Sequence, residues 1–157
     1  MRPRTRRIGR RRLLLSGAAA GVGALASGVP GVQAQRSEGL GGIEWLDYNP
    51  PRPYAAGARV GNVVYLAGEV GSGADVAAQT ESAFQNIQAS LRAYGSDLQY
   101  IFKMTAYLVN IADQPTFAQV RSRFLPRPIP STLVAITRLV PPDGLLEIDV
   151  MALIPNA

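Results

Sequence analysis

The chain contains no cysteine and no histidine. Without cysteine there is no disulfide, no thiolate metal site and no thiol nucleophile. Without histidine there is no Ser-His-Asp or Cys-His catalysis and no imidazole-bound zinc, and the commonest general base is missing. Charge is also scarce: 17% of the 157 residues are Asp, Glu, Lys or Arg, while 47% are hydrophobic. That composition excludes a fully disordered chain, and the length suits a single domain. Chemistry here must rest on carboxylates, hydroxyls, Lys, Arg, Tyr, backbone groups or bound water.

The net charge of +5 invites a nucleic-acid reading, but its distribution argues against one. Residues 1–34 hold seven arginines (Arg2, Arg4, Arg6, Arg7, Arg10, Arg11 and Arg12) and no acid. Setting these aside leaves nine of the 16 basic residues against all 11 acidic ones, a net charge of −2 for residues 35–157. The body has no electrostatic footprint for a phosphate backbone, and no nucleic-acid partner is expected.

The leader reads as an export signal over 1–34. An Arg-rich start precedes an apolar, Gly/Ala-rich run from Leu13 to Val32. Val32-Gln33-Ala34 forms a small-x-small cleavage site, placing the cut before Gln35. Arg10-Arg11-Arg12-Leu13-Leu14 resembles the twin-arginine motif, and the glycine-diluted apolar run suits that route better than a membrane-spanning helix. An uncleaved N-terminal anchor is the alternative, since the run is long enough to span a bilayer. The expected destination is periplasmic or secreted, with the membrane engaged only through the signal.

Residues 35–42 read as a flexible junction, and the domain as 43–157. Ile43 to Tyr48 is a short candidate strand. Arg59 to Ala67 is a stronger one, and Gly61-Asn62 within it makes two arms of a hairpin. From Val76 to Tyr94 the apolar spacing is helical: Phe84, Ile87, Leu91 and Tyr94 share a face, and Gly95 suits the left-handed position after the helix. Ile101 to Val109 is apolar at both parities and reads as a strand covered on both sides. Asp113 fits an N-cap and Pro115 the first turn of a second helix, which carries Phe117, Val120 and Phe124 and stops before Pro126. Thr132 to Leu139 and Leu145 to Ile154 are the last strands, on either side of a Pro141–Gly144 turn.

Two helices cover one face of such a sheet. Yet Val63, Tyr65 and Ala67 lie on one side of their strand and Val64 and Leu66 on the other, so the second face also needs cover. In so short a chain another copy of itself is the simplest cover, and a homo-oligomer is expected.

Three segments carry a resemblance to a known family. They are Pro53-Tyr54-Ala55 through Gly61-Asn62-Val63-Val64-Tyr65-Leu66-Ala67-Gly68; Gln79-Thr80, Asn86-Ile87, Leu91, Gly95, Lys103 and Tyr107-Leu108; and Glu147-Ile148-Asp149 through Ala152. In order and spacing they resemble the Rid (YjgF) family, also catalogued as endoribonuclease L-PSP-like proteins, over Pro51 to Leu153. The resemblance implies a chorismate-mutase-like α/β fold, a mixed sheet with two helices packed on one face. It also implies a homotrimer with clefts between subunits and hydrolysis of imines or enamines to a 2-oxo acid and ammonia. It implies no metal and no cofactor. Tyr54 matches the family tyrosine and Glu147 the glutamate that positions water. Ala67 stands where the deaminases usually carry Ser. Ser131 stands where they carry the arginine that grips the substrate carboxylate, so the chain resembles an arginine-less branch. A guanidinium grips a carboxylate in a way that Ser cannot reproduce.

Each candidate keeps a plainer alternative. Glu147, beside its parity partner Asp149, points to the face assigned to the interface. It is an acid or base in a dry cleft, or half of an ion pair across that interface. Tyr54 lies over the cleft or simply packs. Ser131 and Thr132 bind a ligand or are polar residues at a strand start. Arg127, with Arg52 and Arg138 behind it, is a displaced anion-binding arginine or a solvated charge. Lys103 is a nucleophile or an ion-pair partner, and Trp45 packs at the sheet edge. Two functions follow: a hydrolase of small C=N intermediates using Glu147 and bound water, or a non-catalytic small-ligand-binding or chaperone-like module on the same clefts. A ribonuclease, the third reading, is weakened by the acidic body and the missing histidine.

Overall fold

The structure, a computed structural model, describes residues 42–46 and 53–155. The expected export signal over 1–34 lies outside the described residues, as do Arg52, the end of the first expected strand and all of the junction but Gly42.

Among the described residues six strands and two α-helices follow in the order β1 (Ile43–Leu46), β2 (Gly57–Val60), β3 (Val63–Val70), α1 (Val76–Ala93), β4 (Ile101–Leu108), α2 (Gln114–Phe124), β5 (Ser131–Ala135) and β6 (Leu146–Leu153). The strands form one mixed sheet in the order β1-β2-β3-β6-β4-β5, antiparallel throughout except for the parallel β4–β5 pair. Gly61 adopts φ 60° at the expected turn between β2 and β3.

The Asp75 side chain caps α1 by accepting from Ala78 N at 2.8 Å. The expected apolar stripe is buried: Phe84, Ile87 and Leu91 lie at 0–1% exposure against Val64, Met104, Ile148 and Val150. Gly95 ends the helix at φ 80°. Against α1 packs α2, with Phe124 stacked on Phe84 at 5.1 Å between ring centroids. Gln79 is a clamp. Its amide donates to Gly73 O and Asp143 O, at 3.1 and 2.9 Å, and its Oε1 accepts from Leu145 N at 2.8 Å. These bonds tie α1 to the turn that launches β6, and so fix the height at which Glu147 enters the sheet.

One local expectation is corrected and a second is refined. The strand expected over 132–139 ends at Ala135, because β4, its only partner among the described residues, ends at Leu108. Ile136 N donates to Leu108 O at 2.9 Å, and among the described residues no strand continues the ladder beyond it. Asp113 holds the N-cap position of α2, as expected, but the side-chain bond is made one turn earlier. A turn of 3₁₀ helix (Ile111–Asp113) precedes α2, Asn110 Oδ1 accepts from Ala112 N at 3.1 Å, and Asp113 makes no side-chain cap bond.

Candidate functional site

The face away from the helices carries the site. The registers set its rows. Ile43, Val60, Val63 and Leu153 form one row, and Trp45, Ala58, Tyr65, Met151 and Lys103 the next. Beyond them lie Asp149, Thr105 and Thr132, and then Glu147, Tyr107 and Val134. One half of the face is therefore apolar, with Trp45, Val60, Tyr65 and Leu153 each about 40% exposed. The other half is polar. Tyr107 Oη donates to Asp149 Oδ2 at 3.1 Å, and Lys103 Nζ donates to Thr132 Oγ1 at 2.9 Å and to Met104 O at 3.3 Å. Burial, and then the Asp149 hydrogen bond, push the Tyr107 phenol above its usual range.

Glu147 is held at a break in the sheet. The β3–β6 register shifts between Leu66 and Glu69, so Ala67-Gly68 forms a bulge. Gly68 has no side chain, and a Cβ there would overlap the Glu147 carboxylate. The bulge also sends Glu69 to the helix side, where its Oε1 accepts from Asn86 Nδ2 at 2.8 Å. Burial raises the Glu69 carboxyl above its usual range. The Asn86 bond partly offsets this, and the charge of Glu147 adds to it. Two carboxylates from opposite faces of the sheet thus meet around one glycine. A cavity of about 270 Å³ opens beside them, walled by Tyr54, Ala56, Leu66, Ala67, Gly68, Glu69 and Ser90.

The sequence-derived candidates separate on this map. Glu147 and Tyr54 both border the bulge, Tyr54 on the cavity rim and 63% exposed. Thr132 reaches the same face as Glu147 and is engaged by Lys103. Ser131 pairs with Met104, putting it on the helix side, and its hydroxyl donates to Ile129 O at 3.0 Å. Arg127 donates to the Gln99 carbonyl and lines a different cavity with Gln88, Asp97, Arg123 and Phe124. Gln99 precedes β4, and from Ile101 to Tyr107 the strand runs about 20 Å, so within one chain Arg127 and Glu147 stay apart. Arg138 is exposed, and Trp45 packs beside Tyr54 at the sheet edge. Sequence reasoning missed Gly68 and Glu69. Their signal was a glycine inside a strand pattern, which marks a bulge or a close approach.

The endoribonuclease L-PSP family model matches residues 47–154. The chain belongs to this family, the Rid or YjgF proteins. A relative from Acinetobacter baylyi, named 3-aminoacrylate deaminase RutC, is 30% identical over 111 residues, covering 66% of this chain and 88% of that one. A Dermatophagoides farinae relative, named 2-iminobutanoate/2-iminopropanoate deaminase, is 26% identical over 113 residues, 67% of this chain and 88% of that one. A crystal structure of a YjgF/YER057c/UK114 family member from Mycobacterium tuberculosis superposes with a TM-score of 0.62 at 30% identity, covering 64% of this chain and 86% of that one. The Rid fold is therefore the fold of this chain, a mixed sheet with two helices on one face. In this Rid protein the motif residues Gln79 and Gly68 have structural duties: one sets β6 against α1, the other makes room for Glu147.

Proposed function

We propose that this Rid protein hydrolyses small reactive C=N intermediates in clefts between the subunits of a homotrimer. One observation carries the reading: the Glu147 carboxylate, seated over Gly68, stands beside the Tyr107–Asp149 pair on the sheet face that the helices leave open. The names of the two deaminase relatives support it. A water held by Glu147 attacks the carbon of the protonated imine. The C–O bond forms, the C=N π pair moves to nitrogen, and the water's proton passes to the carboxylate. Return of that proton to nitrogen lets the C–N bond break, and loss of the hydroxyl proton leaves the carbonyl. Imine and water give a carbonyl compound and ammonia, with no redox step. Tyr54 donates from the rim, and Thr132 acts through Lys103 on the same face.

The test generates imines in situ with an oxidase and follows ammonia release above the uncatalysed rate. Glu147→Ala is expected to lose the enzymatic increment about 100-fold or more. Unchanged hydrolysis in that variant would refute the assignment. A second reading, a non-catalytic ligand-binding module, is favoured by the commitment of Arg127 to the Gln99 carbonyl and by Ser131 turning to the helix side. Ligand binding with no increment in hydrolysis would select it.

The leader supports export to the periplasm or beyond. N-terminal sequencing of the mature protein is expected to begin at Gln35, and full-length protein retained in the cytosol would contradict this.

A further inference from the structure

The cavity beside the bulge has a sign. Of the described residues that wall it, Glu69 alone has an acidic or strongly basic side chain, and no Lys or Arg is among them. Asn86 occupies Glu69 Oε1 and leaves Oε2 for another donor. Behind Gly68 stands the second carboxylate, Glu147. Five of the described cations elsewhere are engaged: Lys103 with Thr132 and Met104, Arg127 with the Gln99 carbonyl, Arg92 with Asp97, Arg123 with Glu81 and Arg59 with the Gly61 carbonyl. A carboxylate entering this cavity would lose water, meet like charge and find no cationic donor among the described residues that wall it. A protonated amine would find one free carboxylate oxygen and the Tyr54 and Ser90 hydroxyls at the same wall.

We propose that Glu69 is the specificity-determining residue of the site, and that its substrates are imines of amine-bearing aldehydes or ketones, carrying no carboxylate, with the ammonium held in the cavity against Glu69. For the reaction this rests on the hydrolase reading above; for the binding it does not. Hydrolysis then follows the same balance: the imine and water give the amino-carbonyl compound and ammonia, and the remote ammonium is unchanged.

Two four-carbon probes of opposite charge test the binding. The full-length protein is titrated with n-butylammonium and with butyrate by NMR. The wild type is expected to prefer the ammonium by about tenfold or more, as a charged hydrogen bond exceeds a neutral one. Glu69→Gln keeps the Asn86 bond within reach and is expected to erase the preference. Glu81→Gln, which removes an exposed charge paired with Arg123, is expected to keep it. Equal affinity for the two probes, a preference for butyrate, or a preference that survives Glu69→Gln would overturn the proposal. A parallel turnover assay compares an imine made from a diamine with one made from an amino acid, and the first is expected to react faster. If the charge preference holds and neither imine is hydrolysed, the specificity stands and the hydrolase reading falls. If the amino-acid imine is the better substrate, the proposal falls and the hydrolase reading stands.

Discussion

Alternate residues of β6 end in two different environments. Leu146, Ile148, Val150 and Ala152 are buried at 0–1% exposure beneath the helices, whereas Glu147, Asp149 and Met151 are half-buried and Leu153 is exposed. The helix face is completed by the chain itself, with aromatic and branched side chains in contact and Gln79 bonding the loops above them. The open face holds both the exposed apolar row and the carboxylates. The difference teaches that the two faces answer to different requirements. One supplies stability through burial. The other keeps polar groups half-solvated beside an apolar surface that suits a second copy of the chain, because carboxylates fully buried without partners would be costly.

The sharpest way to break this comparison is to truncate neighbours that face opposite ways. Ile148→Ala is expected to cost about 2–5 kcal/mol of stability in denaturant unfolding, since it empties a filled core site. Asp149→Ala, one residue on, is expected to cost about 1 kcal/mol through the Tyr107 hydrogen bond. Equal losses would mean that the faces are not distinct. Next in size is Gly68→Ala, whose methyl would have to displace the Glu147 carboxylate. A loss of about 1–3 kcal/mol by thermal unfolding is expected, together with loss of any Glu147-dependent hydrolysis.

Smallest is the pH response of the two carboxyls that shift in opposite directions. The Glu69 carboxyl is raised by burial, so its contribution is fully present below about pH 4.5 and is lost as pH rises through its folded value. Glu69→Gln should therefore stabilise the protein at neutral pH and have no such effect in acid. Asp97 is lowered, first by the Gln88 hydrogen bond and then by Arg92 and Leu98 N. Its contribution is present above about pH 3.8 and is lost as pH falls through its lower folded value. Asp97→Asn should destabilise the protein at neutral pH and converge with the wild type in strong acid. Melting temperatures across pH for both variants check the signs.

Most of the helix face was legible because its period is local. Phe84, Ile87 and Leu91 announce α1 by spacing, and Gly61-Asn62 announces the β2–β3 turn. The end of β5 was not legible, because Ile136 to Leu139 remain strand-like in composition and only the early end of β4 denies them a partner. Asp113 was legible by residue type as the N-cap of α2, but the preceding 3₁₀ turn, itself capped by Asn110, leaves the Asp113 side chain without a cap bond. The site was half legible. Glu147 and Tyr54 came from motif and resemblance, and the alternation of β6 placed Glu147 on the open face. The bulge at Ala67-Gly68 breaks the period-two rule, so the meeting of Glu69 with Glu147 across the sheet could not be read from alternation. Nor could the commitment of Arg127 to the Gln99 carbonyl, which depends on how α1, α2 and the start of β4 converge.

The account stands or falls on what covers the open face. Light scattering on the purified protein at micromolar concentration measures this directly, with Tyr65→Asp as the variant that places a charge in the apolar row. Three protomer masses are expected for the wild type, falling towards one in Tyr65→Asp while the helical circular dichroism signal is retained. A wild-type protein that is a stable monomer would contradict the account.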